Sequence, residues 1–332
     1  MAIDLGSSNT IIYLQEKGIV VDEPTMLARK KKKKWTGLSA PKFAIAKPIA
    51  YGYKAKEMLN REPGQIEVVV PIKNGNIADL EGLEFFINYF LKLVYEIPNN
   101  KLRFIKSKLL VSIPSSMNQV NRRALRELFK QIGSFNIFLI EQPVLAAIGL
   151  GLSMESGSGL VVVDVGGGKT EISVVSMGGI VIGKTIPIAG GTMDADIVNY
   201  IRMKYGILIG SVSAERLKIN NGGIVRGRNL ETGLPKSVKL REEEILEAVG
   251  LTLSKISSSV IRVIDETPPE LMDDILKRGI VLVGGGSKIK GLNKLIEGNT
   301  HINCRVADEP NLCVIKGCGE LLEKNRDLDN FV

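Results

Sequence analysis

Two aspartates, Asp4 and Asp164, each sit at the end of a short apolar run and ahead of a glycine turn. The segments are Asp4-Leu5-Gly6-Ser7-Ser8-Asn9-Thr10 and Asp164-Val165-Gly166-Gly167-Gly168-Lys169-Thr170. Small residues in a tight turn expose backbone N–H groups, which make a nest for phosphate oxygens. A carboxylate beside such a turn suits Mg2+, an ion that keeps several waters and takes few carboxylates. Both segments fit the pattern Asp-[Leu/Val]-Gly-x-x-x-Thr-x-Ile, from Asp4 to Ile12 and from Asp164 to Ile172. Their offset is 164 − 4 = 160 residues, close to half of the 332-residue chain. One glycine hairpin is weak evidence. Two, with aspartate and threonine in matched places, point to two similar halves facing each other. A third turn, Gly284-Gly285-Gly286, lets a base and sugar lie against backbone. Together the three turns suggest a nucleotide.

Lys169 is the residue that does not fit simply. It stands at the lip of the second turn, where a small hydroxyl residue would fit more easily. It either helps break a phosphate bond, holds the phosphate still, or points to solvent.

Composition narrows the alternatives. Hydrophobic residues make up 44% and charged residues 24%, an ordinary globular balance. The length favours two domains. The net charge of +8 favours an anionic partner, and only 5% aromatic residues argues against nucleic acid, whose bases need stacking platforms. His301 is the one histidine, which disfavours Ser-His and His-metal mechanisms. Cys304, Cys313 and Cys318 have no CxxC spacing and read as buried free thiols in a reducing cytoplasm. The chain opens directly into a strand-like run, so no signal peptide is expected. No run of about 20 uncharged apolar residues is present to span a membrane.

These residues must be held by alternating elements. Residues 2–14 and 160–176 read as strand, turn, strand. Residues 83–94, 118–133 and 242–264 carry apolar side chains at helical spacing. Residues 107–116 and 136–151 read as a strand ending at Pro114, and as a strand, a proline step and an Ala-rich helix. A further helix starts at Pro268-Pro269, and residues 278–292 run from strand through the third glycine turn into a helix. Alternation throughout makes the class α/β.

At these residues the sequence resembles the actin, heat-shock-70 and sugar-kinase superfamily, and most closely its MreB-like bacterial actins. The resemblance rests on the two phosphate motifs, on "LIEQPVLAAIG" and "LCVIKGCGELL" as connecting helices, and on "VLVGGGSKIKGL" as the adenosine motif. Phrases such as "GNIADLEG", "SAERLKI" and "TPPELMDDILKRGIVL" extend it over nearly the whole chain. It implies an actin-like ATPase fold with two similar halves, each a mixed sheet flanked by helices, and four subdomains around a nucleotide cleft. The expected division is 1–138 plus 320–332, with a small subdomain at about 22–70, and 139–319, with one at about 180–242. ATP or ADP with Mg2+ is the implied cofactor, the metal being held through water by Asp4 and Asp164. The implied nucleotide contacts are Gly6, Ser7, Ser8, Asn9, Gly166, Gly167, Gly168, Lys169, Thr170, Gly190, Gly191, Glu215, Lys218, Gly284, Gly285, Gly286 and Lys288. The family's acidic pair in the "AGGTMDADI" loop is Gly191-Thr192 here, so no carboxylate contact is expected from this loop.

The resemblance also marks where this chain departs. The first connecting helix ordinarily begins Glu-Glu-Pro, and the second glutamate polarises the attacking water; here the run is Glu141-Gln142-Pro143. Threonine ordinarily follows the three glycines, and here it is Lys169. Glu141, Gln142 and Lys169 are therefore the hydrolysis positions, and slow hydrolysis is expected. Polymerisation with itself into paired protofilaments is implied, for cell shape or motility, along with other filament proteins of the family as possible partners. The alternatives are a fully active ATPase scaffolding wall synthesis and a small-molecule kinase on the same fold. Two basic patches, Arg29 to Trp35 and Lys101 to Lys106, read as contacts for an anionic membrane surface. Leu102, Arg103, Phe104 and Ile105 match the family's membrane loop, which implies the inner face of the cell membrane as the location.

Overall fold

A computed structural model describes residues 1–31, 47–97, 107–133, 135–153, 157–323 and 328. The first half runs β1 (Ala2–Leu5), β2 (Asn9–Leu14), β3 (Gly18–Pro24), β4 (Leu27–Lys30), β5 (Pro48–Tyr51), α1 (Gly52–Met58), β6 (Ile66–Val69), β7 (Ile72–Lys73), β8 (Asn76–Ile77), α2 (Leu80–Glu96), β9 (Ser107–Ile113), α3 (Gln119–Ile132) and β10 (Phe135–Glu141). After α4 (Gln142–Gly149) the second half runs β11 (Leu160–Val165), β12 (Thr170–Ser176), β13 (Gly179–Ile186), α5 (Gly190–Tyr205), β14 (Ile207–Leu208), α6 (Ser211–Ile219), β15 (Gly223–Asn229), β16 (Pro235–Leu240), α7 (Glu242–Asp265), α8 (Pro269–Arg278), β17 (Ile280–Val283), a 3-10 turn at Gly285–Lys288, α9 (Leu292–Thr300), β18 (Cys304–Val306) and α10 (Cys313–Glu323).

The 160-residue repeat in sequence is a repeat in topology. The two five-stranded sheets have the orders β3-β2-β1-β9-β10 and β13-β12-β11-β17-β18. In each, a three-strand antiparallel meander continues into two parallel strands. The β-branched runs of β11 and β12 explain their central place, since both are buried on nearly every residue.

The smaller sheets have the orders β5-β4-β6 and β14-β15-β16. β3 overlaps the expected 22–70 segment and β13 opens the expected 180–242 segment. Both belong to the large sheets, because each pairs along its length with the preceding hairpin strand. α10 likewise continues unbroken past residue 319.

Helix ends follow local chemistry. Asp79 caps α2 by accepting from the Gly82 N–H at 2.9 Å, and Asn118 caps α3 through the Asn121 N–H at 2.8 Å. Glu244 reaches back to the Arg241 N–H at 3.0 Å at the start of α7. Gly133 ends α3 in extended backbone, with φ of −168°, rather than in a left-handed cap.

One core fills each half, and a third joins them. This joining core packs α4 and α10 against strands of both large sheets, including Ala2, Leu110, Val162 and Val283. The two helices approach closely at Gly317, where a Cβ would lie 1.9 Å from the Leu145 carbonyl oxygen. No side chain fits there without moving a helix.

Arg29 is a correction to the surface reading. It is 8% exposed, and its guanidinium bonds Glu67 at 2.8 Å and Asp79 at 2.7 Å. It ties β4 to β6 and to the start of α2 instead of joining a solvated charge run. Lys30 and Lys31 are exposed, while Lys32 to Trp35 and the membrane-loop residues Leu102, Arg103, Phe104 and Ile105 lie outside the described residues. The three cysteines are free and buried. Among the described residues no helix is long and apolar enough to cross a membrane.

Candidate functional site

The repeated hairpins put their glycine turns face to face. In the second turn, a Cβ on Gly167 would lie 2.6 Å from the Ser8 side chain of the first, so only glycine lets the halves approach this closely. The first turn of α5 stacks on the second glycine turn, with the Gly190 N–H on the Gly166 carbonyl at 3.0 Å and the Gly191 N–H on the Gly167 carbonyl at 2.8 Å. The result is a cleft of about 710 Å3 between the halves.

Most of the expected contacts line it: Asp4, Gly6 to Asn9, Gln142, Asp164, Gly166 to Lys169, Gly190, Gly191, Glu215, Lys218, Gly284 to Gly286 and Lys288. Two do not. Thr170 is fully buried and donates to the Ile188 carbonyl at 2.6 Å, so it braces the loop before α5 from behind. Glu141 accepts from Arg122 of α3 at 2.8 Å and lies outside the lining. It leaves Gln142 as the cleft residue of that pair.

The floor of the cleft is a buried polar network. Asp4 and Ser112 are neighbours on the parallel pair β1 and β9, and the Ser112 hydroxyl donates to Asp4 Oδ1. Gln142, 6% exposed, donates from Nε2 to Asp4 Oδ1 at 3.2 Å and to Ser112 Oγ at 3.4 Å. Its Oε1 accepts from Lys169 Nζ at 3.0 Å. Lys169 is 9% exposed and forms an ion pair with Glu171. It therefore neither points to solvent nor stands loose at the lip.

Antiparallel register explains why an ammonium belongs there. Asp164 on β11 is directly opposite Glu171 on β12, so two carboxylates share one sheet face. Lys169 is two residues before Glu171 and emerges on that same face. Glu171 also accepts the Ser115 N–H at 2.9 Å, the Ser115 hydroxyl at 2.5 Å and the Thr185 hydroxyl at 3.3 Å. Ser115 follows β9 in the first half, so Glu171 ties the halves together under the cleft.

Electrostatics single out the aspartates. Burial pushes Asp164 up to about 7; Lys169 opposes this, while Glu171 and Asp4 add to it. Burial also raises Asp4, against the hydrogen bonds of Ser112 and Gln142 and the charge of Lys169. Such a buried pair of carboxylates at the phosphate turns suits a hydrated divalent cation. Among the described residues no cluster of three or more acidic, cysteine or histidine side chains forms a protein-only metal cage. Asp4 and Asp164 would hold such a cation through water, and it would supply positive charge to an anion in the cleft.

Three further cleft residues escaped the sequence reading. Asp194 is four residues along α5 from Gly190, on the same helix face, and pairs with Lys218 at 2.7 Å. The α5 loop does present a carboxylate to the cleft, one turn beyond Gly191-Thr192. Lys56 of α1 pairs with Glu215 of α6 at 2.7 Å across the cleft mouth, beside an Asn60 to Ser211 hydrogen bond of 3.4 Å. Glu171 stood within the quoted motif, but its role depends on strand register.

The MreB/Mbl protein family profile matches residues 1–330. The cell shape-determining protein MreB of Escherichia coli strain K12 is 40% identical over 333 residues, covering 97% of this chain and 93% of that protein. The structure of MreB5 of Spiroplasma citri bound to AMPPNP has a TM-score of 0.88 at 30% identity, covering 100% of this chain and 98% of that one. MamK, in its double helical filament, has the same fold, with a TM-score of 0.76 at 18% identity and 97% of each chain covered. With its duplicated sheets, facing glycine turns and full-length likeness, this actin-like chain belongs to the MreB/Mbl family.

Proposed function

We propose that this chain is a cytoskeletal protein that polymerises into actin-like filaments for cell shape or motility, holds adenine nucleotide with Mg2+ in its cleft, and hydrolyses it slowly. Full-length likeness to the cell shape-determining MreB supports the cytoskeletal role. MreB5 of Spiroplasma citri binds AMPPNP and ADP in solved structures, and MamK, of the same fold, forms a filament.

The observation that carries slow hydrolysis is the Lys169–Gln142–Asp4 chain. Gln142 stands where the family pattern has glutamate. Its amide cannot take a proton, its oxygen already accepts from Lys169 and its nitrogen donates to Asp4. Losing a general base costs about 10²–10⁴ in rate. Lys169 stands where the pattern has a water-ordering threonine, and its charge is drawn to Glu171. Anionic membrane attachment through Leu102 to Ile105, at the cytoplasmic face, belongs to the same proposal, and sedimentation with acidic liposomes tests it.

Negative-stain microscopy tests the main reading. Ordered filaments that form with an ATP analogue support it. A monomeric protein under all nucleotide conditions, or one with sugar-dependent turnover, refutes it.

A further inference from the structure

The cleft floor contains a cation of its own. Asp4, Asp164 and Glu171 contribute three carboxylates, and Lys169 sets an ammonium among them. Its backbone closes the second phosphate turn, where Gly166 N–H donates to the Lys169 carbonyl at 3.0 Å. Its stem runs beside Gly75, where a Cβ would lie 3.0 Å from Lys169 Cε. An ammonium carries three donors. Two acceptors reach Lys169 among the described residues, Gln142 Oε1 and the Glu171 carboxylate. The third donor is left for a phosphate oxygen arriving in the turn. Lys218 and Lys56 are engaged higher in the cleft, with Asp194 and Glu215.

We propose that Lys169 is a tethered counter-cation for the nucleotide phosphates, so that this chain keeps substantial nucleotide affinity when magnesium is removed. The proposal rests on the nucleotide-binding reading above. A floor of three carboxylates without an ammonium repels a polyphosphate unless a divalent ion intervenes. Lys169 replaces part of that ion's charge with one built into the turn. Its reach also explains the residue at 142. A carboxamide presents oxygen to Lys169 and N–H to Asp4, whereas a carboxylate there would set a fourth carboxyl group against Asp4, where the amide now donates at 3.2 Å.

The test is titration of the full chain with a fluorescent ATP analogue in MgCl2 and in EDTA, for the parent, Lys169→Thr and Lys169→Met. A hydrogen bond to a charged group sets the scale, so the affinity lost on chelation should be about 10- to 100-fold greater in the variants than in the parent. An equal loss in all three overturns the proposal while leaving nucleotide binding intact. If neither variant folds, the parent alone decides: a loss beyond about a thousandfold on chelation overturns the proposal, and a smaller loss supports it. A parent that binds no nucleotide even with magnesium overturns the underlying reading instead.

Discussion

The pairing of Lys169 with Glu171 has a measurable energy. Lys169→Met leaves Glu171, 1% exposed, opposite Asp164 with no cation beside it. Glu171→Gln leaves the ammonium facing an amide. Removing one partner of a buried pair costs about 3–5 kcal/mol, because the survivor is a buried, uncompensated charge. Here the cost of losing Glu171 falls toward the lower end, since Asp4 and Asp164 still oppose the Lys169 charge. Losing both costs less than the sum, because neither charge is then stranded. The double variant should recover about 1.5–3 kcal/mol relative to additivity. Equilibrium denaturation of the four proteins, without nucleotide and in EDTA, completes the cycle. Additive costs, with a coupling below about 0.5 kcal/mol, refute the pairing and with it the account of why a lysine occupies this turn.

Three other expectations follow from particular contacts. Gly317→Val forces α4 and α10 apart and should destabilise by about 1–3 kcal/mol or more, read as a lower melting temperature. Glu244 is held down at about 2, first by the Tyr205 hydroxyl and then by the Arg241 N–H and Lys204. A carboxylate depressed in the folded state stabilises above its ordinary value of 4.5 and loses that contribution as pH falls toward 2. The stability difference between parent and Glu244→Gln should therefore be constant above pH 4.5 and shrink below it. Finally, Lys56→Gln removes the partly exposed bridge to Glu215 across the cleft mouth. It should speed release of a fluorescent nucleotide by no more than about fivefold, the scale of such pairs, and high salt should speed the parent but not the variant.

The repeat, the glycine turns and the alternation of strand and helix were legible in the sequence because they depend on local spacing. Asp4 and Asp164 stood out because the motif occurs twice. Glu171 did not, because its place opposite Asp164 is a matter of cross-strand register. Asp194 was passed over because attention fell on Gly191-Thr192, whereas helical geometry carries the carboxylate one turn further. The surface reading of Arg29 failed for a related reason. A charge run looks solvated in one dimension, but strand pairing brings Glu67 to the guanidinium and the α2 cap brings Asp79. Sheet membership of β3 and β13 was likewise not legible locally, because both are meander strands whose partners lie in the large sheets.

Phosphate release during polymerisation tests the central claim most directly, in the parent and in a Gln142→Glu, Lys169→Thr double variant. The two substitutions must be made together, since each residue at the floor is bonded to the other at 3.0 Å. Both proteins should form filaments, with slow release from the parent and release about 10²-fold or more faster from the variant. A parent that releases phosphate as fast as the variant contradicts that claim.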